Sequence, residues 1–348
     1  MSMLDSDTRA IERPAVMSPT PVTRTAQATL RTIAVFPKHY FLENLPARPD
    51  GSLLVTASTQ KELWYVPRPT EDRCAEPMLV HTFEHVPMGI AEIAPDVFFV
   101  SVSDLSPPHR CYLMRLDLNG WTPGAALTPE VAAKLDDRAR SLNGSCFLAP
   151  DVLLLADSLA GLIWRVDLPA NGRESQSRVW VEHSNMMPDR HTAMKPVQPG
   201  VNGIRFAGRS HDIYYTSTAQ KLFLRVPVHP TTLDAGGEPE LVASGMMGDD
   251  FCIDQDAGTA YVATHRQNTI DRVPLARQKS GATQEIVAGD PFCQELIGPS
   301  SGVWGRQPGD DGRRAYFTSD GGAVAAPPDG RIRIAKVLEV KLAATPPP

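Results

Sequence analysis

Apolar positions along the chain fall into short runs bounded by turn residues, and the runs recur with a long period. Three segments read A-R-P-D-G-S-L-L-V-T (47–56), I-A-P-D-V-F-F-V-S (93–101) and L-A-P-D-V-L-L-L-A-D (148–157), each placing a Pro-Asp turn before an apolar strand. Three diverged copies follow at 209–217, 254–264 and 312–319. Most copies are followed by a second strand of similar ending: L-W-Y-V-P (63–67), Y-L-M-R-L-D-L (112–118), I-W-R-V-D-L-P (163–169), F-L-R-V-P-V (223–228) and I-D-R-V-P-L (270–275), with R-I-R-I-A (331–335) a looser sixth. The residues just before each unit's first strand are Glu43, Met88, Asn143, Asn202, Asp249 and Ser301, spaced on average by about 52 residues, the length of one four-stranded propeller blade. The pattern predicts an all-β six-bladed β-propeller with a central channel. T-L-R-T-I-A-V-F (29–36) and the strand at 331–340 are expected to share one blade and close the ring. The expected organisation is a disordered N-terminal tail (1–28), the propeller (29–341) and a C-terminal tail (342–348).

Register then becomes geometry, because residues that begin equivalent inner strands form a ring at one mouth of the channel. Glu43, Asn143, Asn202 and Asp249 bring oxygen donors of low total charge to that ring, a set that suits a divalent cation such as Ca²⁺ or Mg²⁺. Taken singly, Asn143-Gly144 and Asn202-Gly203 read equally well as turns. Second strands return to the same mouth and end in Thr56, Ser58, Ser103, Asp157, Ser217, His265 and Asp320, of which His265 and Asp320 are candidate acid–base groups, with capping of their strands as the alternative for each.

Composition narrows the partners. The chain has 348 residues, a formal net charge of −6 and a pI near 5.9, so it offers no basic field for nucleic acid or anionic lipid. The 25 glycines and 32 prolines fit a chain that turns often. Five scattered cysteines without a C-x-x-C pair read as buried thiols. The first 28 residues contain no apolar signal-like region and no run of about 18 apolar residues occurs, so a cytoplasmic protein without membrane insertion is expected. No G-x-S-x-G nucleophile elbow, H-E-x-x-H motif or phosphate-binding Gly loop is expected, no organic cofactor is implied, and covalent hydrolysis and nucleotide chemistry are disfavoured.

Two long connections, 119–142 and 182–201, lead into Asn143 and Asn202 and are expected to lie over the mouth. In the first, Thr128-Pro129 reads as the start of a short helical lid. The second carries His183, Met186, Met187, His191, Met194 and Lys195, a mixture that suits an irregular apolar ligand and equally a plug between blades. His39, Tyr40, Trp121, Phe251 and Trp304 are candidates for an aromatic rim, with core packing as the alternative.

The order Glu43, Asn143, Asn202, Asp249 resembles the metal site of the SMP-30/gluconolactonase-like six-bladed propellers. V-N-G-I-R-F (201–206) is similar to that family's P-N-G-L segment and G-D-D-F-C-I-D (248–254) to its P-D-G-M-C-I-D segment. Asp250 stands where the family has Gly, and F-L-E-N-L-P (41–46) where it has G-E-G-P. The opening F-P-K-H-Y-F-L-E-N-L-P-A-R-P-D-G-S-L-L-V-T with K-E-L-W-Y-V-P resembles a fungal secondary-metabolism subgroup that includes the hetero-Diels–Alderases of tropolone sesquiterpenoid biosynthesis. This resemblance implies a cyclase joining a tropolone o-quinone methide to a humulene-type sesquiterpene. His265, Lys195 and Asn202 are the candidate hydrogen-bond donors, while Tyr40, Trp121, Met186, Met187, His191, Phe251, Trp304 and Asp320 are the candidate substrate contacts. The alternatives are a metal-dependent lactonase or esterase in which Asp249 activates water, and a non-catalytic propeller that binds a protein partner.

Overall fold

The computed structural model describes residues 22–24, 28–168, 175–189, 197–276, 284–290 and 293–342. Its strands form six sheets that radiate about one axis as a β-propeller, with no α-helix among the described residues. Blades two, three and four are antiparallel sheets that run outward in chain order, from Val86–Ala94, Leu142–Ala149 and Val201–Ala207 at the axis to Glu130–Lys134, Gln176–Glu182 and Glu240–Ser244 at the rim. In blade one the innermost segment is joined to Leu53–Ala57 by two isolated bridges, Leu42 to Ala57 and Ala47 to Leu53. Blade six is closed as the sequence implies: Ala28–Lys38 pairs with Ile334–Leu342 at the outer edge. Blade five gains a fifth strand, Val22–Arg24, paired parallel to Gln284–Gly289.

Adjacent blades bury their facing sides in six apolar clusters around the ring. Second-strand hydroxyls stitch the inner strands together: Thr56 Oγ1 donates to the Met88 carbonyl (2.7 Å), Ser101 Oγ to that of Asn143 (3.2 Å), Thr216 Oγ1 to that of Asp249 and Thr318 Oγ1 to that of Glu43 (3.2 Å). Asp157 is a fully buried cap that accepts from the amides of Arg140, Ser141 and Ala160 and from Trp164 Nε1.

Two expectations are corrected. The lid helix after Pro129 is absent: Glu130–Lys134 is the outer strand of blade two, paired with Arg110–Asp117. An unpaired sheet edge offers partners to alternate residues of an added strand, and that outweighs the local helix preference of E-V-A-A-K. Among the cysteines, Cys111, Cys146 and Cys252 are buried, but Cys74 is exposed and Cys293 partly so. Burial pushes the Cys111 and Cys146 thiols up to about 11 and about 12, so both stay protonated.

Candidate active site at the channel mouth

Each inner strand of blades two to six breaks its ladder at the mouth. The register shifts between Pro87 and Ile90, Leu142 and Ser145, Val201 and Ile204, Gly248 and Phe251, and Pro299 and Gly302. A bulge re-aims the side chains it contains. Here each bulge contains two residues, and the bulges stack in two layers. The upper layer is Met88, Asn143, Asn202, Asp249 and Ser300, with Glu43 in blade one; the lower is Gly89, Gly144, Gly203, Asp250 and Ser301, with Asn44. Ser301 thus belongs to the lower layer, and Ser300 occupies the ring position. The Asn-Gly pairs make no turns. A side chain on Gly89 or Gly144 would strike the backbone of the next blade, with the Asn143 carbonyl at 2.1 Å and the Asn202 carbonyl at 2.7 Å.

The lower layer closes the channel. Asp250, 2% exposed, accepts at Oδ2 from Asn44 Nδ2 (2.8 Å), Ser301 Oγ (2.8 Å) and Arg205 Nη2 (2.5 Å), so one carboxylate ties blades one, four, five and six. Gly203 leaves the room for it, since a Cβ there would lie 2.3 Å from Asp250 Oδ1.

Above this plug lies a cavity of about 380 Å³ that opens at the mouth and is lined by Glu43, Met88, Asn143, Asn202, Asp249 and His265 from the six-fold arrangement. Phe41, Leu105, Leu159 and Val324 give its walls an apolar character, and Gln198 and Arg266 complete one edge. The volume falls in the ~300–1,000 Å³ range of small-molecule sites. Phe41 sets its ring edge-on to His265, with centroids 5.5 Å apart. Asp320 lies fully buried behind the wall, its Oδ2 3.1 Å from His265 Nε2, an ion-pair contact without the alignment of a hydrogen bond. It is fixed by the amides of Gly322 (2.7 Å) and Val324 (3.0 Å).

Burial alone would lower the pKa of His265, but the Asp320 charge and contact, with Asp249 adding to them, outweigh it and raise it. Burial likewise pushes Asp249 up to about 7, against the pull of His265 and a hydrogen bond from Asn202. Glu43 is raised well above the carboxylate range by burial and by repulsion from Asp249, Asp250 and Asp320. Asn202 Nδ2 donates to Thr218 Oγ1 (3.0 Å), while Asn202 Oδ1 and Asp249 Oδ1 are buried without a hydrogen-bond partner. Two orphaned oxygens beside Glu43 and Asn143 are a donor set that fits a hard cation.

The remaining candidates lie elsewhere. Phe251 is fully buried against Phe223 (4.9 Å between centroids) and Trp304 packs on Tyr261 (5.5 Å) with its Nε1 donating to the Ile253 carbonyl (2.8 Å). Trp121 packs on Tyr65, and Tyr40 on Phe36 and Trp64. Met186 is fully buried in the cluster between blades three and four; Met187 is exposed and outside the cavity wall. His191, Met194 and Lys195 lie outside the described residues. Gly298-Pro299-Ser300-Ser301-Gly302 spells G-x-S-x-G, the pattern of the serine-hydrolase elbow. It forms the inner strand of blade six rather than a strand-to-helix turn, and Ser300 Oγ donates to the Leu42 carbonyl (2.5 Å) instead of facing a base.

No family model matches the chain. A protein of Phoma sp named "Putative hetero-Diels-Alderase" is 27% identical over 276 residues, covering 70% of this chain and 74% of that one. The chain resembles the hetero-Diels–Alderases in sequence. A second protein of that name, asR5 of Sarocladium schorii, is 27% identical over 250 residues, 64% of this chain and 60% of its own length. Among solved structures, a luciferin-regenerating enzyme superposes with a TM-score of 0.65 at 15% identity over 90% of this chain and 95% of its own. Regucalcin of Agrobacterium tumefaciens, a calcium-binding protein, gives 0.59 at 18% over 94% and 98%. These likenesses establish the fold.

Proposed function

We propose that the chain is a hetero-Diels–Alder cyclase of fungal secondary metabolism, joining an electron-poor heterodiene of the tropolone o-quinone methide type to an alkene of a humulene-type sesquiterpene. The reading rests on the cavity: an apolar-walled mouth, closed below by Asp250, with the buried His265 on its wall. In the reaction a C=C–C=O unit and a C=C unit form one C–C and one C–O bond, three π bonds become one, and no proton, water or electron is exchanged with the protein. The chain therefore has two tasks. Holding both partners in one cavity removes the entropy of their encounter. Donating a hydrogen bond to the heterodiene oxygen, which gains negative charge along the path, lowers the barrier further. His265, whose pKa is raised by Asp320, supports the second task, and Asn202 supports it as a neutral donor. The 27%-identical relatives carry the same activity in their names.

The test is incubation of the purified protein with the o-quinone methide precursor and humulene, against protein-free and His265→Gln controls. Faster formation of one dihydropyran stereoisomer is expected, with the variant slower. A product ratio and rate equal to the protein-free control would remove the cyclase reading.

A metal-dependent lactonase is the second reading, favoured by the orphaned Asn202 Oδ1 and Asp249 Oδ1. Glu43, Asn143, Asn202 and Asp249 would hold the divalent cation, which supplies Lewis acidity toward a carbonyl when bound. Lactone hydrolysis that disappears on chelation and returns with Ca²⁺ or Mg²⁺ would favour this reading over the first.

A further inference from the structure

A second cavity, of about 500 Å³, opens on the face away from the mouth, in the cleft between blades four and five. The turns that border it, 208–211 and 255–258, join inner to second strands at the ends remote from Asn202 and Asp249. Asp212 lines it from the start of the second strand of blade four, its backbone fixed in the sheet between Ala207 and Pro227. The same position, opposite the last inner-strand residue, is Val97 in blade two, Val152 in blade three and Thr259 in blade five. Blade four thus puts a carboxylate where its neighbours have uncharged side chains. Asp212 is 3% exposed, and among the described residues its carboxylate has no hydrogen bond or ion pair. A carboxylate taken out of water without a partner is costly, and a ligand that supplies the partner relieves that cost.

Two arginines also reach the cavity, and each is already paired. Arg225, 6% exposed, donates to Glu240 Oε2 from Nε (3.0 Å) and Nη2 (2.8 Å) and to the Leu275 carbonyl from Nη1 (3.3 Å), while Arg209 pairs with Asp256. The charge left uncompensated is that of Asp212. Ala207, Ile253 and Leu275 give the rest of the wall an apolar stretch.

We propose that this cleft is a second ligand site, which takes a small organic monocation, an ammonium or guanidinium group on an apolar body, with Asp212 as its ion-pair acceptor. The apolar body lies against Ile253 and Leu275. Charge-assisted N–H···O⁻ bonds are about twice as strong as neutral ones, so a neutral isostere binds weakly here. An anionic ligand would meet arginines that are already occupied and a carboxylate that repels it. The cleft shares no lining residue with the mouth cavity, so the proposal stands whichever reaction runs there.

Phenethylammonium, benzylguanidinium, the neutral isostere 2-phenylethanol and the anion phenylacetate are titrated by calorimetry into wild type, Asp212→Asn and Asp249→Asn. Wild type is expected to bind at least one cation about tenfold or more tightly than 2-phenylethanol, and Asp212→Asn to lose that difference. The tighter cation identifies the head group. No measurable binding of either cation, binding equal to that of 2-phenylethanol, or phenylacetate tighter than both would overturn the proposal. Asp249→Asn should bind the cations as wild type does; loss there with retention in Asp212→Asn would put the cation in the mouth instead. Denaturation without ligand is the independent check. Asp212→Asn should be at least as stable as wild type, since it removes an unpaired buried charge. A less stable variant would make Asp212 a structural cap and end its role as a free acceptor.

Discussion

His265 Nε2 lies 3.1 Å from Asp320 Oδ2, and the two residues divide the work: the imidazole lines the cavity and the carboxylate stays fully buried behind it. A histidine whose folded pKa is raised is protonated below that value and loses its proton as pH rises through it. The cyclisation rate is therefore expected to fall as pH rises through the raised pKa of His265. Asp320→Asn removes the charge that raises it and should move that fall to lower pH, lowering kcat more than it changes KM. The stability the contact contributes follows the same sign, present at low pH and lost as pH rises. A pH–rate profile identical to wild type would show that Asp320 acts only through its bonds to Gly322 and Val324.

The Asp250–Arg205 pair gives the second expectation. Removing one member of a buried, hydrogen-bonded ion pair leaves an uncompensated charge and costs about 3–5 kcal/mol. Asp250→Ala should lose stability on that scale, because Asn44 and Ser301 lose their acceptor as well. Adding Arg205→Met should recover part of the loss, since both charges are then gone. Chemical denaturation of the two variants measures this. A double variant no more stable than Asp250→Ala would mean that the pair is not the source of the cost.

The blades were legible in the chain because each repeats a turn ahead of an apolar strand, and the ring was legible because a repeat in sequence is a rotation in space. The same logic misplaced blade six by one residue: Pro-Ser-Ser-Gly offers two serines, and only the bulge against Arg314–Ser319 decides that Ser300 takes the ring position. The aromatic rim failed for a different reason. Phe251 follows the bulge, where strand alternation turns its side chain into the inter-blade core, and Trp304 lies at the far end of its strand from the mouth. Asp250 stood out as a departure from the family pattern, but its partners Asn44, Arg205 and Ser301 come from three other blades and no local signal joins them.

Leu105 is 47% exposed at the cavity edge, an apolar side chain that the fold itself does not need to bury. Leu105→Asp should therefore change stability by no more than ~0.5 kcal/mol. In the cyclase it places a charge where the hydrocarbon is expected to lie, and kcat/KM should fall by about tenfold or more. Leu105→Met, which keeps the surface apolar, should retain activity. Equal kcat/KM for Leu105→Asp and wild type would place the hydrocarbon elsewhere in the cavity.

Asp271 offers a pH effect away from the site. Burial raises its pKa to about 6, against hydrogen bonds from Thr269 Oγ1 (2.7 Å) and Gln284 Nε2, while Gln284 Oε1 is buried without a partner. The folded chain thus binds a proton that the unfolded chain releases at the ordinary Asp value, so stability falls as pH rises from about 4 to about 6. The span corresponds to ~3 kcal/mol. Asp271→Asn carries no charge, and a turned Gln284 amide can then accept from the new Asn Nδ2 through its orphaned oxygen. The variant is expected to match or exceed wild type above pH ~6 and to lack the decline between pH ~4 and ~6. Denaturation midpoints of both proteins across that range decide it: parallel curves would mean that Asp271 ionises in the folded chain as freely as in the unfolded one.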